Sequence, residues 1–272
     1  MPSAVRGEGR GRFDGTATIV RFNWPKYVVA FATVLILVAV LVAVLVSGVV
    51  RARDVPVAID LLLVSLAVVT AVGVVTSLTA TWWVYDHVQV YRHVPCALGD
   101  VGRWVSVHAG FDDATAELVA QLGTDPLTTI DLEVPARASL RRARGLRDPH
   151  GEVAAVGALP LRDASVDTVF VTLAVHELRD LDDQRRLFGE LQRVLVPGGR
   201  VVVTEHLRDV ANGLVYGPAA LHFQRADTWR SRATEAAFVA DREVRITPFV
   251  RRFVWTRGNS VPAPPLSSAA GA

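Results

Sequence analysis

One cysteine, Cys96, is all the thiol that this chain of 272 residues holds. A lone cysteine closes no disulfide within the chain and builds no cysteine-based metal cluster, which suits a domain working in a reducing compartment. Lysine is almost absent too, since 28 of the 29 basic residues are arginine. With a net charge of only +2, these arginines are dispersed, and no recognition motif accompanies them. That pattern excludes a nucleic-acid partner. Arg137, Arg141 and Arg144 do recur at helical spacing. The stripe reads as a solvated face or as a contact for anionic lipid headgroups.

Charge itself is missing from two long stretches, Tyr27 to Val50 and Leu61 to Tyr85. A bilayer core about 30 Å thick needs about 20 apolar helical residues, so each stretch is long enough to span it. The first run is too long for a cleaved signal peptide, and a second follows almost at once. The connection from Arg51 to Pro56 is short, which predicts a hairpin with both ends on one side of the bilayer. Trp24 and Tyr27 open the first span, while Trp82, Trp83 and Tyr85 close the second, so one interfacial aromatic belt is expected. Arg10, Arg12, Arg21, Lys26, Arg92 and Arg103 lie on the belt side, against Arg51 and Arg53 in the connection. The larger count places both termini in the cytoplasm, making this an integral membrane protein with a cytoplasmic soluble domain. Asp60, near the loop end of the second span, reads as an interfacial residue rather than a proton relay.

From about Gly102 short apolar runs alternate with amphipathic stretches. Strands are predicted at Trp104–His108, Leu127–Leu132, Val153–Val156, Val166–Leu173 and Arg200–Thr204. Helices are predicted at Asp113–Leu122, Ala136–Arg147 and Leu181–Leu195, the last with Asp180 as its N-cap. Pro197-Gly198-Gly199 stops that helix before the fifth strand. A longer, partly helical excursion leads to a closing hairpin, Glu243–Thr247 and Phe249–Trp255. No internal repeat is present. Strands alternating with helices define an α/β fold, a mostly parallel sheet with helices on both faces, whose ligands bind at the carboxyl ends of the strands.

Two segments carry a specific signal: Ala158-Leu159-Pro160-Leu161-Arg162-Asp163-Ala164-Ser165-Val166-Asp167, and Glu190-Leu191-Gln192-Arg193-Val194-Leu195-Val196-Pro197-Gly198-Gly199-Arg200. Together they resemble the class I S-adenosylmethionine-dependent methyltransferases, in the branch that includes the ubiquinone and menaquinone enzymes. The likeness runs from about Gly102 to Thr256. It implies a Rossmann-like methyltransferase fold after the transmembrane hairpin, with S-adenosylmethionine as cofactor. The chain then divides into a cytoplasmic segment 1–26, a hairpin 27–85, a methyltransferase-like domain 86–257 and a disordered tail 258–272.

The same resemblance implies a cofactor site at His108, Gly110, Asp112, Asp131 and Leu159. In the family a Gly-x-Gly-x-Gly loop follows the first strand; here the matching segment keeps only Gly110, with Phe111 and Asp112 in place of small residues. An acid usually follows the third strand, and Ala155 occupies that position. Asp131 stands 21 residues beyond Gly110, where a strand-end carboxylate can accept both ribose hydroxyls or simply cap a helix. His-Ala-Gly-Phe-Asp-Asp, His-Glu-Leu-Arg, Glu-His-Leu-Arg-Asp and Thr-Pro-Phe are similar to a membrane-tethered subgroup of methyltransferase-like proteins.

His176 and Glu177 follow the fourth strand; Glu205 and His206 follow the fifth. These four are the candidate catalytic residues, with Asn212, His222 and Arg225 as later arrivals. Methyl transfer is an in-line displacement in which the protein positions the acceptor, and a His or Glu can take its proton. The plainer reading has His176 satisfying buried backbone groups and Glu205 paired with Arg208 or Arg179. The expected activity is methyl transfer to an apolar or membrane-associated small molecule. A non-catalytic scaffold and metal-assisted chemistry are the competing readings. No ligand pair has zinc-like spacing, so no metal residue is assigned.

Overall fold

Two helices with nearly uniform apolar surfaces open the chain: α1 (Asp14–Val46) and α2 (Val57–Trp82). The computed structural model describes residues 11–46, 57–90, 98–112, 114–135, 138–145 and 151–258, and these fall into two compact units. Cys96, Asp113 and Arg137 lie outside the described residues, as does the tail beyond 258.

The first unit contains α1, α2, the short helix α4 (Ala138–Arg144) and the helix α6 (Val210–Tyr216). The segments Asp14–Val40 and Leu61–His87 are each long and apolar enough to cross a membrane. Phe31, Leu62 and Val69 stand 65–68% exposed along them. α1 starts earlier than the charge-free run because Asp86, in a π-helical turn at Trp83–His87, caps it from across the hairpin. Gly15 N and Thr16 N donate to the two Asp86 oxygens at 2.7 and 2.9 Å. A carboxylate at a helix N-terminus satisfies orphan amides and complements the helix dipole. Of the expected aromatic belt, Trp24 and Trp83 are exposed, whereas Tyr85 is buried inside the unit. α4 packs on α1 and α6 on α2. Arg142 Nε donates to the Phe22 carbonyl at 2.7 Å, so one arginine of the basic helix is held by the hairpin and is not freely solvated.

The second unit is built on a seven-stranded sheet: β1 (Trp104–His108), β2 (Thr129–Glu133), β3 (Glu152–Ala155), β4 (Val166–Thr172), β5 (Leu195–His206), β6 (Phe238–Arg245) and β7 (Val250–Arg257). The order is β3-β2-β1-β4-β5-β7-β6, parallel from β3 to β5, with β7 antiparallel to both of its neighbours. β1 and β4 are apolar and sit in the middle, where both faces are covered, so their side chains are buried almost without interruption. α3 (Thr115–Leu122) buries Leu118 and is tied to β1 by a 2.7 Å bond from the Thr115 hydroxyl to Ser106 Oγ. α5 (Leu181–Val194) buries Leu187, Phe188, Leu191 and Val194, and its N-cap is Asp180, which accepts from Asp182 N and Asp183 N. Phe188 meets Trp229 of α7 (Ala226–Glu235), Phe238 of β6 and Trp255 of β7, with ring centroids 5.8–6.4 Å apart.

Pro197-Gly198-Gly199 lies inside β5 and not before it. Leu195 already pairs with Val166, and the register then shifts before Thr168 meets Arg200. Three extra residues of β5 are accommodated at this irregularity, where Gly198 takes φ +78°. Asp167 stands beside it, holding Arg103 N at 2.8 Å and Arg103 Nε at 2.9 Å. Those bonds keep its carboxyl below the ordinary range. The terminal hairpin is longer than expected, because β6 begins at Phe238 in the excursion after α7.

Candidate active site

The register of the parallel strands brings the expected residues to one edge of the sheet. His108 lies beside Asp131, Val107 beside Val171, and Thr172 beside Thr204, so β1, β2, β4 and β5 all end at similar height. At that height each strand gives way to a loop, and a polar side chain there faces the crevice outside the strands.

On the β1–β2 side, the chain leaves β1 through Gly110, whose φ of +74° is reached easily only without a side chain. Its N–H donates to Asp131 Oδ1 at 2.6 Å, and His108 Nδ1 stands 3.7 Å from the same oxygen. Asp131 is 7% exposed. A carboxylate accepts at both oxygens, so the bond to Gly110 uses only part of its capacity. Asp112 is committed elsewhere: its Oδ1 accepts from Ala114 N and Thr115 N, capping the start of α3. Ala155 ends β3 and is exposed, with no acid at that position.

Leu159 is fixed by two residues whose part was not anticipated. Leu159 N donates to Glu190 Oε2 at 2.7 Å, and its carbonyl accepts from Arg193 Nη2 at 3.1 Å. Arg193 also forks onto both Glu190 oxygens at 2.8 and 2.7 Å and reaches the Leu161 carbonyl and Asp163 Oδ1. The arginine thus laces the loop between β3 and β4 to α5. Burial opposes ionisation of Glu190, but the Arg193 bonds, the Leu159 N–H and the arginine's charge together hold its carboxyl below the usual value. Both residues lie in the motif that spans Glu190 to Arg200. Their i, i+3 spacing on one helix was the available sign of the pair.

On the β4–β5 side, Leu173 turns out of β4 with φ +50°, a conformation uncommon for a side chain of its size. It leads into a 3₁₀ turn at Val175–Glu177. Glu205, fully buried, reaches under that turn. Its Oε1 accepts from Val175 N at 2.8 Å and His176 N at 3.4 Å, and its Oε2 lies 2.7 Å from His176 Nδ1. The carboxylate's partner is therefore His176 and not Arg208 or Arg179. Glu177 Oε1 is 3.6 Å from His176 Nε2. His206 points its Nδ1 at the Phe249 carbonyl, 3.0 Å away, and stacks on Phe223 at 5.1 Å. Phe223 is edge-on to His176 at 5.6 Å, and the His222 ring is 5.7 Å from that of His176. Phe223 was not anticipated, since nothing polar marked it. Asn212 falls in α6, where its amide and its N–H both donate to Asp209 Oδ1. Arg225 precedes α7 as its N-cap residue. Among the described residues no three His, Cys, Asp or Glu side chains are grouped so as to hold a metal ion.

A Rossmann-like sheet with an antiparallel β7 inserted beside β5, a glycine turn after β1 and an acid in β2 level with the end of β1 defines the class I methyltransferase fold. A family model described as a methyltransferase domain matches residues 108–203. A malonyl-[acyl-carrier protein] O-methyltransferase of Methylovorus sp. is 30% identical over 121 residues, 42% of this chain and 38% of that protein. A ubiquinone/menaquinone biosynthesis C-methyltransferase of Acidiphilium cryptum is 34% identical over 93 residues, 32% of this chain and 35% of that protein. A demethylmenaquinone methyltransferase of Thermus thermophilus is 40% identical over 100 residues, 35% of this chain and 42% of that protein. The chain thus spans well under half the length of these curated relatives.

Proposed function

We propose that this protein is a membrane-anchored methyltransferase that uses S-adenosylmethionine to methylate an apolar or membrane-associated small molecule. The observation that carries the cofactor is the Gly110–Asp131 pair. A positive-φ glycine lets the backbone approach a ligand closely, and a carboxylate on β2, level with the end of β1, can accept ribose hydroxyls. Asp131 would hold the ribose, with the backbone at Gly110 and Leu159 beside the rest of the nucleoside. Once bound, the cofactor supplies a methyl group activated on a sulfonium. His176 and Glu205, on the β4–β5 side of the same edge, are left for the acceptor.

The anchoring reading draws on α1 and α2, which among the described residues expose large apolar side chains along their length. A bilayer around them meets acceptors already dissolved in lipid, and two of the three relatives are named for quinone chemistry. A cytoplasmic domain is the orientation that the arginine bias favours. A second reading, a scaffold that has lost the cofactor, draws on Asp112, which caps α3, and on Ala155, which leaves β3 without its acid.

Purified protein in proteoliposomes, given methyl-labelled S-adenosylmethionine and a lipid extract, separates the two. Label entering the organic phase supports the enzyme. Bound cofactor with label only in protein would move the acceptor from small molecule to polypeptide, and no bound cofactor would leave the scaffold.

A further inference from the structure

We propose that α6 and the 3₁₀ turn after it form an interfacial anchor, whose outward face of Val210, Leu214 and Leu221 enters the headgroup–acyl boundary of the leaflet at the Tyr27 end of α1. The inference rests on the anchoring reading above and adds to the hairpin a second contact with the bilayer.

The starting observation is apolar surface in an unexpected place. Val210, Leu214 and Leu221 are 79%, 76% and 69% exposed, the three most exposed large hydrophobic side chains among the described residues. They exceed even the outward residues of α1 and α2. Val210 and Leu214 stand one helical turn apart on α6, and Leu221 follows in the 3₁₀ turn Gly217–His222. Asn212, Val215 and Ala220 of the same segment are buried. The segment therefore has one packed side and one exposed side, and both carry apolar residues. It is also tied down at its base. Asp209 caps α6, Leu207 pairs with Gln224, and Arg208 N donates to the Gln224 carbonyl at 2.8 Å. A contiguous apolar face on an ordered segment marks a surface that something covers.

What covers it follows from its height on the hairpin, since α1, α2, α4 and α6 belong to one unit. α6 packs on α2, and Tyr216 interacts with Thr81 of α2 and Tyr27 of α1. Tyr27 is where the charge-free part of α1 begins. From Tyr27 to Val46 the helix rises about 30 Å at about 1.5 Å per residue, the thickness of a hydrocarbon core. α6 is thus held where that core meets the headgroups.

The neighbours at this height agree. Trp24 and Trp83 are exposed, as interfacial aromatics are. Arg21 and Lys26 are exposed on α1, and Arg141 is exposed on α4, which the bond from Arg142 to the Phe22 carbonyl ties to α1. Phe22 lies about 7 Å of helix before Tyr27, at the outer edge of a headgroup layer about 5–7 Å deep. Cations just outside an apolar face suit an anionic leaflet. A helix lying in the interface sinks its apolar face about 5–10 Å into this same boundary. A second copy of the chain would also cover apolar side chains, but nothing about such a contact would set them at the end of the hydrocarbon span.

Depth-dependent quenching tests this on the full chain. The fluorophore NBD is attached at Leu214→Cys, or at Leu35→Cys, in Cys96→Ser protein reconstituted into phosphatidylcholine–phosphatidylglycerol vesicles. Leu35 lies about 12 Å of helix beyond Tyr27, near the bilayer centre. Leu214 and Leu35 are both exposed, so neither probe displaces a packed side chain. The probe at Leu214→Cys should emit blue-shifted light and be quenched at least about twofold more by lipid spin-labelled near the headgroup than near the chain end. The probe at Leu35→Cys should show the reverse preference. Quenching at Leu35→Cys with none at Leu214→Cys would overturn the inference and leave the spanning hairpin standing. Blue-shifted emission at Leu214→Cys without lipid quenching would overturn it too, as the sign of a second copy on that face. Quenching at Leu214→Cys chiefly by the chain-end label would set the face too deep for an interfacial anchor and contradict it equally. No quenching at either position would remove the anchoring reading, and the inference with it.

Discussion

Cutting the tie between Glu190 and Arg193 should loosen the loop that carries Leu159 and weaken both the fold and the cofactor site. Arg193 makes two bonds to Glu190 and one each to Leu159, Leu161 and Asp163, with its side chain 31% exposed and that of Glu190 14% exposed. A hydrogen bond with a charged partner contributes about 1.5–3 kcal/mol when buried, whereas an exposed ion pair contributes about 0.2–1 kcal/mol. The half-buried, bidentate geometry lies between these limits, so the coupling between the residues should be about 1.5 kcal/mol. Glu190→Gln, Arg193→Met and the double variant form the cycle, read by urea unfolding in detergent through tryptophan fluorescence. With a slope near 2 kcal/mol per molar urea, that coupling is a midpoint difference of about 0.75 M. Glu190→Gln should also bind S-adenosylmethionine more weakly, because Leu159 N would face an amide in place of a carboxylate. A coupling under about 0.5 kcal/mol, with cofactor affinity unchanged, would refute the lacing role.

Gly151→Ala should cost about 2 kcal/mol or more, since φ is +113° there and a Cβ would collide with the Thr129 carbonyl of β2. Thermal melts check it, and an unchanged Tm would contradict the strand geometry. Asp86→Ala should cost about 1 kcal/mol by stripping the cap from Gly15 and Thr16, seen as a lower Tm in detergent but not in the cofactor affinity. Acid should unfold the second unit. Glu190 and Glu243 both titrate below the ordinary value, Glu243 chiefly through its bond to Arg230. A depressed carboxyl contributes stability above the unfolded pKa of about 4.3 and loses it as pH falls through the folded value, so unfolding free energy should drop steadily below about pH 4.5. A flat profile from pH 5 to 3 would contradict those pairings.

Much of the sheet could be read from the chain because β1, β4 and β5 are buried on both faces and must be written as runs of valine and its like. Asp180 announced the start of α5 by its position before an amphipathic run. Pro197-Gly198-Gly199 misled at the boundary, since only the pairing of Leu195 with Val166 shows that β5 begins before it. The site residues were legible as strand ends, but their partners were not. Glu205 could be matched with His176 only once Thr172 and Thr204 were known to be aligned, because a pairing across 29 residues depends on register. Asp112 was expected at the cofactor site, and its Oδ1 meets the first amides of α3, a contact that its place in the loop after β1 did not reveal. Nothing local to α4 or α6 showed that they pack on the apolar hairpin, for a short basic helix and a short apolar one each have ordinary solvated explanations.

Calorimetric titration of S-adenosylmethionine into the detergent-purified protein, beside Asp131→Asn, tests the central claim most directly. The asparagine carbonyl can still accept from Gly110 N, so the loop should stay folded while the ribose loses its carboxylate. Micromolar binding by the wild type, weakened at least about tenfold in the variant, is the expected result. Well-folded wild type that takes up no S-adenosylmethionine, or a variant that binds it equally well, would contradict the assignment of this strand edge as the cofactor site.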